Sequence, residues 1–311
     1  MARIALITTF KAAIEDGNPI RFARVLAGRG DQVSLMAMDT LRMESGRIMI
    51  DGADYEPGMV ISQPVPALQP MPLDHDFVWV HSLGTRESFL DKIQLLHALP
   101  DHCRIINSLE AIMYLKSKYL LAARPDAFNA PDTHVSPDAA RLIKCIRDAG
   151  GTWIIKPPAG SLGRDVFKVT ADDPNLAAIL QHMCGPENNR YTMIQRWVPS
   201  IEQGEKRVLI AAGEIVDQYQ RFAVQDHRTN VSQGARVVHC DLTEPERMLC
   251  EQLAQELLRR GAWFAGLDLA FPWLIEVNVI SPGGIGTIEE LTGVDQSERV
   301  VNAVMAAVSG D

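Results

Sequence analysis

The chain has 311 residues, 47% hydrophobic and 22% charged, ordinary proportions for a globular enzyme and long enough for about two domain-sized units. Its formal charge is -9 and no Lys/Arg run breaks that balance, so nucleic acid is not an expected partner; a polyanion would be bound by local cations and backbone N–H groups. Five scattered cysteines without a C-x-x-C pair argue against a disulfide framework, and no apolar stretch approaches the about 20 residues of a membrane span, so the expectation is a cytoplasmic protein with reduced thiols and no membrane partner.

Residues 3–10 read as a buried strand; the apolar run is too short for a signal peptide, and Thr8 and Thr9 close it. A helix follows over residues 19–29, with Phe22, Val25 and Leu26 on one face and Gly30 as its stop, and residues 33–38 form a second strand. This βαβ start predicts a parallel sheet. Residues 77–80 add a strand, then come a helix over 86–99, a short strand over 104–106 and a helix capped by Ser108 that runs towards Ala123. Residues 131–137 hold two prolines and suit a linker. From Gly151 onward short strands with hairpin punctuation precede one long helix. Thr243 and Glu246 have capping-box spacing at its start, Leu249, Leu253 and Leu257 form its apolar face, and Gly261 ends it.

The P-loop pattern, the dinucleotide glycine fingerprint, H-E-x-x-H and G-x-S-x-G are all missing, which turns attention to three other segments. In the first, the apolar strand Trp153-Ile154-Ile155-Lys156 turns through a loop containing Gly160, Ser161 and Gly163. Such a loop brings backbone N–H groups close to phosphate oxygens, with Lys156 as a point charge; a glycine hairpin with a surface lysine is the plainer alternative. The second, residues 191–199, is a strand meeting a short hinge, suited either to an adenine edge or to an ordinary core. The third is the hairpin from Gly266 to Val279. Strand alternation puts Glu276 and Asn278 on one face, within reach of Asp268, a hard-oxygen set suited to Mg²⁺ shared with substrate phosphates. A solvent-facing polar stripe is the alternative, disfavoured by the apolar flanks.

In chain order these pieces resemble the ATP-grasp ligases, and most closely the bacterial glutathione synthetase family. The resemblance rests on Ile154-Ile155-Lys156-Pro157, Gly204-Glu205-Lys206-Arg207-Val208, Gly266-Leu267-Asp268, and Glu276-Val277-Asn278-Val279 followed by Ser281-Pro282-Gly283-Gly284. It implies an α/β chain whose ATP-grasp fold is preceded by a small parallel-sheet domain. The expected divisions are an N-terminal α/β domain over 1–120, a lid subdomain with the glycine loop over 121–190, and a C-terminal subdomain with the Mg²⁺/ATP site over 191–311. It further implies Lys118 and Lys156 on the nucleotide phosphates, with Gly160, Ser161 and Gly163 in the loop over them. Gln195, Arg196, Trp197 and Val198 would form the adenine hinge, and Glu205 would meet the ribose. Asp268, Glu276 and Asn278 are the implied Mg²⁺ ligands. Arg207, Arg221, Arg228 and Asn230 would steady the γ-phosphate and acyl phosphate, Arg228 and Asn230 also meeting the substrate.

Residues 222–234 resemble the family's mobile loop, and Ser281, Pro282, Gly283 and Gly284 its substrate turn. The activity implied is amide formation from a small carboxylate and an amine with ATP and Mg²⁺, by a homo-oligomer. The alternatives are a peptide or amino-acid ligase with another acceptor, and a non-catalytic ATP-binding regulator. One departure stands out: where the family carries a lysine-aspartate-proline-rich stretch, this chain reads Trp79-Val80-His81-Ser82-Leu83-Gly84-Thr85-Arg86. Arg86 and Lys11 are the cations available to another carboxylate.

Overall fold

The computed structural model describes residues 1–10, 17–57, 67–158, 165–223 and 235–310. Among these, the strands form three sheets that follow one another along the chain. The first begins with β1 (Arg3–Thr8), α1 (Asn18–Gly28) and β2 (Gln32–Ala37), parallel as the βαβ pattern predicts. Three antiparallel strands not evident from hydrophobic periodicity, β3 (Arg42–Glu44), β4 (Arg47–Asp54) and β5 (Gln69–Pro72), extend one edge. Ser45 and Gly46, both at positive φ, make the tight turn between β3 and β4. On the other side β6 (Phe77–Val80) and β7 (Arg104–Ile106) pair in parallel, giving seven strands in all. Of the helix expected over 86–99, α2 occupies Phe89–His97 after a short 3₁₀ turn.

Ser108 caps α3 (Leu109–Leu115) by accepting from Ala111 N at 3.1 Å. The helix then breaks instead of running on to Ala123: Lys118 donates its N–H to the Pro158 carbonyl and starts α4 (Tyr119–Ala123), followed by α5 (Pro125–Phe128). The break turns the Lys118 side chain inwards. The expected linker over 131–137 is instead bounded by its prolines around β8 (Thr133–Ser136), an edge strand, which tolerates proline at its ends. After α6 (Ala139–Ala149), β9 (Thr152–Lys156), β10 (Phe167–Thr170), α7 (Leu176–Cys184) and β11 (Thr192–Arg196) complete a four-stranded antiparallel sheet in the order β10-β9-β11-β8. This sheet therefore runs past residue 190.

The third sheet has the order β14-β13-β12-β15-β16, from β12 (Glu205–Ala211), β13 (Glu214–Phe222), β14 (Arg236–His239), β15 (Phe264–Ala270) and β16 (Trp273–Asn278). One face is apolar: Val208, Ile210, Leu267, Leu269 and Val277 pack on Leu253 and Leu257 of α8 (Glu244–Arg259). The capping box of Thr243 and Glu246 starts α8 as expected. The last helices, α9 (Ile285–Thr292) and α10 (Ser297–Ser309), return to the first sheet, where Val300, Val301 and Val304 join Ile4, Leu6 and Phe22 in one core. No helix among the described residues is long and apolar enough to cross a membrane.

Candidate functional site

The face of the third sheet opposite α8 carries the charges. Register places Arg207 of β12 opposite Asp268 of β15, and Asp268 opposite Glu276 of β16, so three charged side chains stand in one cross-strand row. Two residues along each strand, Glu205 and Asn278 project from the same face. Arg207 grips Asp268 with two hydrogen bonds, Nε to Oδ1 at 2.5 Å and Nη2 to Oδ2 at 3.0 Å, and Arg221 of β13 lies 2.8 Å from the same carboxylate. Arg221 also donates to Glu205 Oε2 at 2.7 Å, while its Nε has no hydrogen-bond partner among the described residues. Asn278 Nδ2 reaches Asp268 Oδ2 at 3.4 Å. Burial disfavours the Asp268 carboxylate, yet Arg207 and Arg221 outweigh it and hold this group at about 2.

The two lysines meet this face from other elements. Lys118, buried at the start of α4, donates to Glu276 Oε1 at 2.9 Å. Lys156 ends β9 and donates to Gln195 Oε1 at 2.8 Å, a diagonal neighbour on β11; Gln195 in turn donates to Thr133 Oγ1 at 3.0 Å. Burial, reinforced by the neighbouring Lys118, pushes the Lys156 ammonium down to about 7. Four basic side chains thus gather about Glu205, Asp268 and Glu276, a balance that an anionic ligand would complete.

Not every expected residue joins them. Arg196 turns away: its guanidinium donates to the Gly150 carbonyl at 2.6 Å and stacks 4.1 Å over Trp153, a structural role. Trp197 donates its N–H to Thr152 O at 3.0 Å and carries Lys168 3.7 Å over its ring, while Val198 is buried. Glu205 has Arg221 as its ion-pair partner. Lys11, Gly160, Ser161, Gly163, Arg228, Asn230 and most of the 222–234 stretch lie outside the described residues.

The turn after β16 closes the site. Arg207 Nη1 donates to Gly283 O at 2.8 Å, and Gly266 lets Pro282 approach, since a Cβ there would lie 2.9 Å from the proline's Cβ. Ser281 has φ 43°, a left-handed conformation that for serine needs outside support. Two side chains from around the first sheet supply it: Asn18, not singled out in the sequence, and His81, named there only as part of the departing stretch 79–86. Asn18 Nδ2 donates to Ser281 Oγ at 3.2 Å and to Pro282 O at 3.0 Å, and His81 Nδ1 lies 3.2 Å from Ser281 Oγ. His81 also stacks on Trp79, and burial pushes its imidazole down to about 3. Sequence offered no periodicity or spacing that would reveal this clamp.

The His81 value has a thermodynamic consequence. The unfolded chain protonates this histidine below about pH 6.5 and the folded chain only near 3. Its contribution is therefore intact above pH 6.5 and lost as pH falls towards 3, by about 1.4 kcal/mol per unit. His81→Asn is expected to flatten the slope of unfolding free energy against pH between 4 and 6 by about that amount. Denaturant titrations of the two proteins check this; equal slopes would contradict a neutral buried His81.

Comparison with known proteins adds an independent line. The sequence profile of the family described as prokaryotic glutathione synthetase, ATP-grasp domain, matches residues 120–293. Glutathione synthetase of Neisseria meningitidis serogroup A is 36% identical over 203 residues, 65% of this chain and 63% of that protein. The corresponding match to the Coxiella burnetii glutathione synthetase, 32% identical, covers 53% of this chain and 51% of that protein, so these curated relatives are spanned over about half to two thirds of their length. The Xanthomonas campestris glutathione synthetase aligns over 99% of this chain and 95% of its own length at 28% identity. Among solved structures, D-cycloserine synthetase DcsG superposes with a TM-score of 0.70 at 15% identity, covering 98% of this chain and 99% of that one, a likeness of fold.

Proposed function

The chain belongs to the prokaryotic glutathione synthetase ATP-grasp family, and from that premise we propose that it is an ATP-dependent carboxylate–amine ligase, with γ-glutamylcysteine and glycine as the leading substrates. The observation that carries this reading is the convergence of Lys118, Lys156, Arg207 and Arg221 on the Asp268–Glu276 face, with the buried Arg221 Nε left without a partner among the described residues. A polyphosphate and a transferring phosphoryl group meet that demand.

Lys118 and Lys156 bind the nucleotide phosphates, and the β11 end, from Gln195 to Val198, borders the base. Glu205 is the residue assigned to the ribose, a role for which it would leave its pairing with Arg221. The residue types fit a hard divalent cation: two carboxylates facing across a strand pair, with the Asn278 amide, its nitrogen 3.4 Å from Asp268 Oδ2, next to them to offer its oxygen. Asp268, Glu276 and Asn278 would hold Mg²⁺, which supplies charge neutralisation for the phosphates. Arg207 and Arg221 stabilise charge on the phosphoryl group as the acceptor carboxylate oxygen attacks the γ-phosphorus and ADP leaves. The amine nitrogen then attacks the acyl carbon, phosphate departs, the nitrogen loses a proton, and an amide remains. Positioning and charge stabilisation carry the rate, with no covalent link to the protein.

The three expected units are kept in order, with the four-stranded sheet as the lid; because β11 (Thr192–Arg196) belongs to that sheet, the lid ends near residue 196 rather than at 190. Thiols without disulfides support a cytoplasmic setting; the homo-oligomer rests on the family resemblance. A different acceptor is the second reading, favoured by His81, Ser82 and Leu83, which line the cavity where the family carries a lysine-aspartate-proline-rich stretch. Phosphate release from ATP and Mg²⁺ tests the proposal. It is expected to require both γ-glutamylcysteine and glycine; release indifferent to either would overturn this substrate pair.

A further inference from the structure

A cavity of about 250 Å³ lies where the first domain meets β16, lined by His81, Ser82 and Gly84 beyond β6, Lys116 beyond α3, and Glu276 and Asn278. Its contact with Glu276 and Asn278 puts it at the phosphoryl-transfer end of the site. Its basic side chains differ sharply in state. His81 is buried and neutral, whereas Lys116 is half-buried and makes no hydrogen bond or ion pair among the described residues. Glu276 acts on it only at a distance, because the ion pair of that carboxylate is with Lys118 at 2.9 Å. Burial, then the charges of Arg86 and Lys118, depress the Lys116 ammonium. A cation held this way has no paired anion among the described residues, and an entering carboxylate would supply one.

Resting on the ligase reading, we propose that Lys116 selects the acceptor by holding its second, non-reacting carboxylate, while the other carboxylate is presented to the phosphoryl group. The acceptor class is a small dicarboxylic amino-acid derivative or dipeptide. The cation that recognises it comes from the α3–α4 break, in a chain that departs from the family's lysine-aspartate-proline-rich stretch after β6.

The test compares wild type, Lys116→Gln and Lys116→Arg on γ-glutamylcysteine and on 4-aminobutyryl-cysteine, which lacks the second carboxylate. Lys116→Gln is expected to raise KM for γ-glutamylcysteine about 10- to 100-fold, the range for losing a charge-assisted contact, with kcat and the KM for ATP little changed. Lys116→Arg restores most of it, and wild type and Lys116→Gln handle 4-aminobutyryl-cysteine alike. Unchanged KM, or equal losses on both acceptors, would overturn the assignment. Thermal shifts with ADP present give a second readout: γ-glutamylcysteine raises wild-type Tm more than its analogue does, and Lys116→Gln abolishes the difference. If that difference appears without turnover, the Lys116 pocket stands and the ligase reading falls. Turnover with both readouts blind to Lys116→Gln does the opposite, keeping the ligase and removing the Lys116 pocket. Absence of turnover and of any Tm difference overturns both.

Discussion

Asp268→Asn is expected to lower ligase turnover by at least about 100-fold while leaving a folded protein that is about 3 kcal/mol less stable. The side chain keeps its volume, so packing is not the cause. What is lost is the single negative charge that Arg207 and Arg221 share at 2.5 to 3.0 Å on the buried face of the third sheet. Glu205 alone would then face Arg221, and Arg207 would keep only the Gly283 carbonyl among these contacts. Breaking a buried pair from one side strands the remaining charge, which is why the stability loss exceeds that of a surface ion pair. The carboxylate is also one of the groups assigned to Mg²⁺, so the Mg²⁺ concentration that half-saturates any residual rate should rise at least about tenfold, about 1.4 kcal/mol. Denaturant titration and steady-state rates over a Mg²⁺ series separate the two effects. Wild-type turnover in this variant would remove Asp268 from the phosphate end of the site.

Lys156→Met is expected to move binding and stability in opposite directions. Affinity for ATP should fall about 100-fold, near 3 kcal/mol, because a buried cation facing phosphate is lost. Stability should hold or rise, since burial and Lys118 already oppose the Lys156 charge and a thioether of similar length fills the space. Gln195 keeps its bond to Thr133 in either protein. The wild-type value of about 7 adds a pH signature. Above pH 7 the free protein holds a largely neutral Lys156, and phosphate restores its charge, so ATP binding takes up a proton and weakens as pH rises to 9. Calorimetric heats at pH 8 in buffers of different ionisation enthalpy measure that uptake, and Lys156→Met should abolish it. Equal heats across buffers in wild type would contradict a depressed Lys156.

The clustering of charged residues on the third sheet was more legible in the sequence than its supports. Asp268, Glu276 and Asn278 could be read because strand alternation fixes which side chains share a face, and the β15–β16 register puts Asp268 opposite Glu276. Ser108 and the Thr243–Glu246 box were equally readable, since caps are local. By contrast, the break at residues 116–118 depends on the Pro158 carbonyl, 40 residues further along the chain from Lys118, and no local signal marks it. The strand Thr133–Ser136 looked like a linker because its bounding prolines are typical of loops as well as of edge strands. Asn18 and His81 meet Ser281 across 263 and 200 positions of chain, and only folding brings them together. Arg196 shows the same limit: the segment reads as a hinge, and only the fold reveals that its side chain stacks on Trp153 and donates to the Gly150 carbonyl.

The most direct measurement follows one oxygen atom. With ATP, Mg²⁺, glycine and γ-glutamylcysteine carrying ¹⁸O in its cysteinyl carboxylate, mass spectrometry reads both the phosphate released and the peptide formed. Attack of that carboxylate on the γ-phosphorus predicts one ¹⁸O in each phosphate, in step with a product of the mass of glutathione. Phosphate free of label, or label without the amide, would contradict a ligase that joins these substrates through an acyl phosphate.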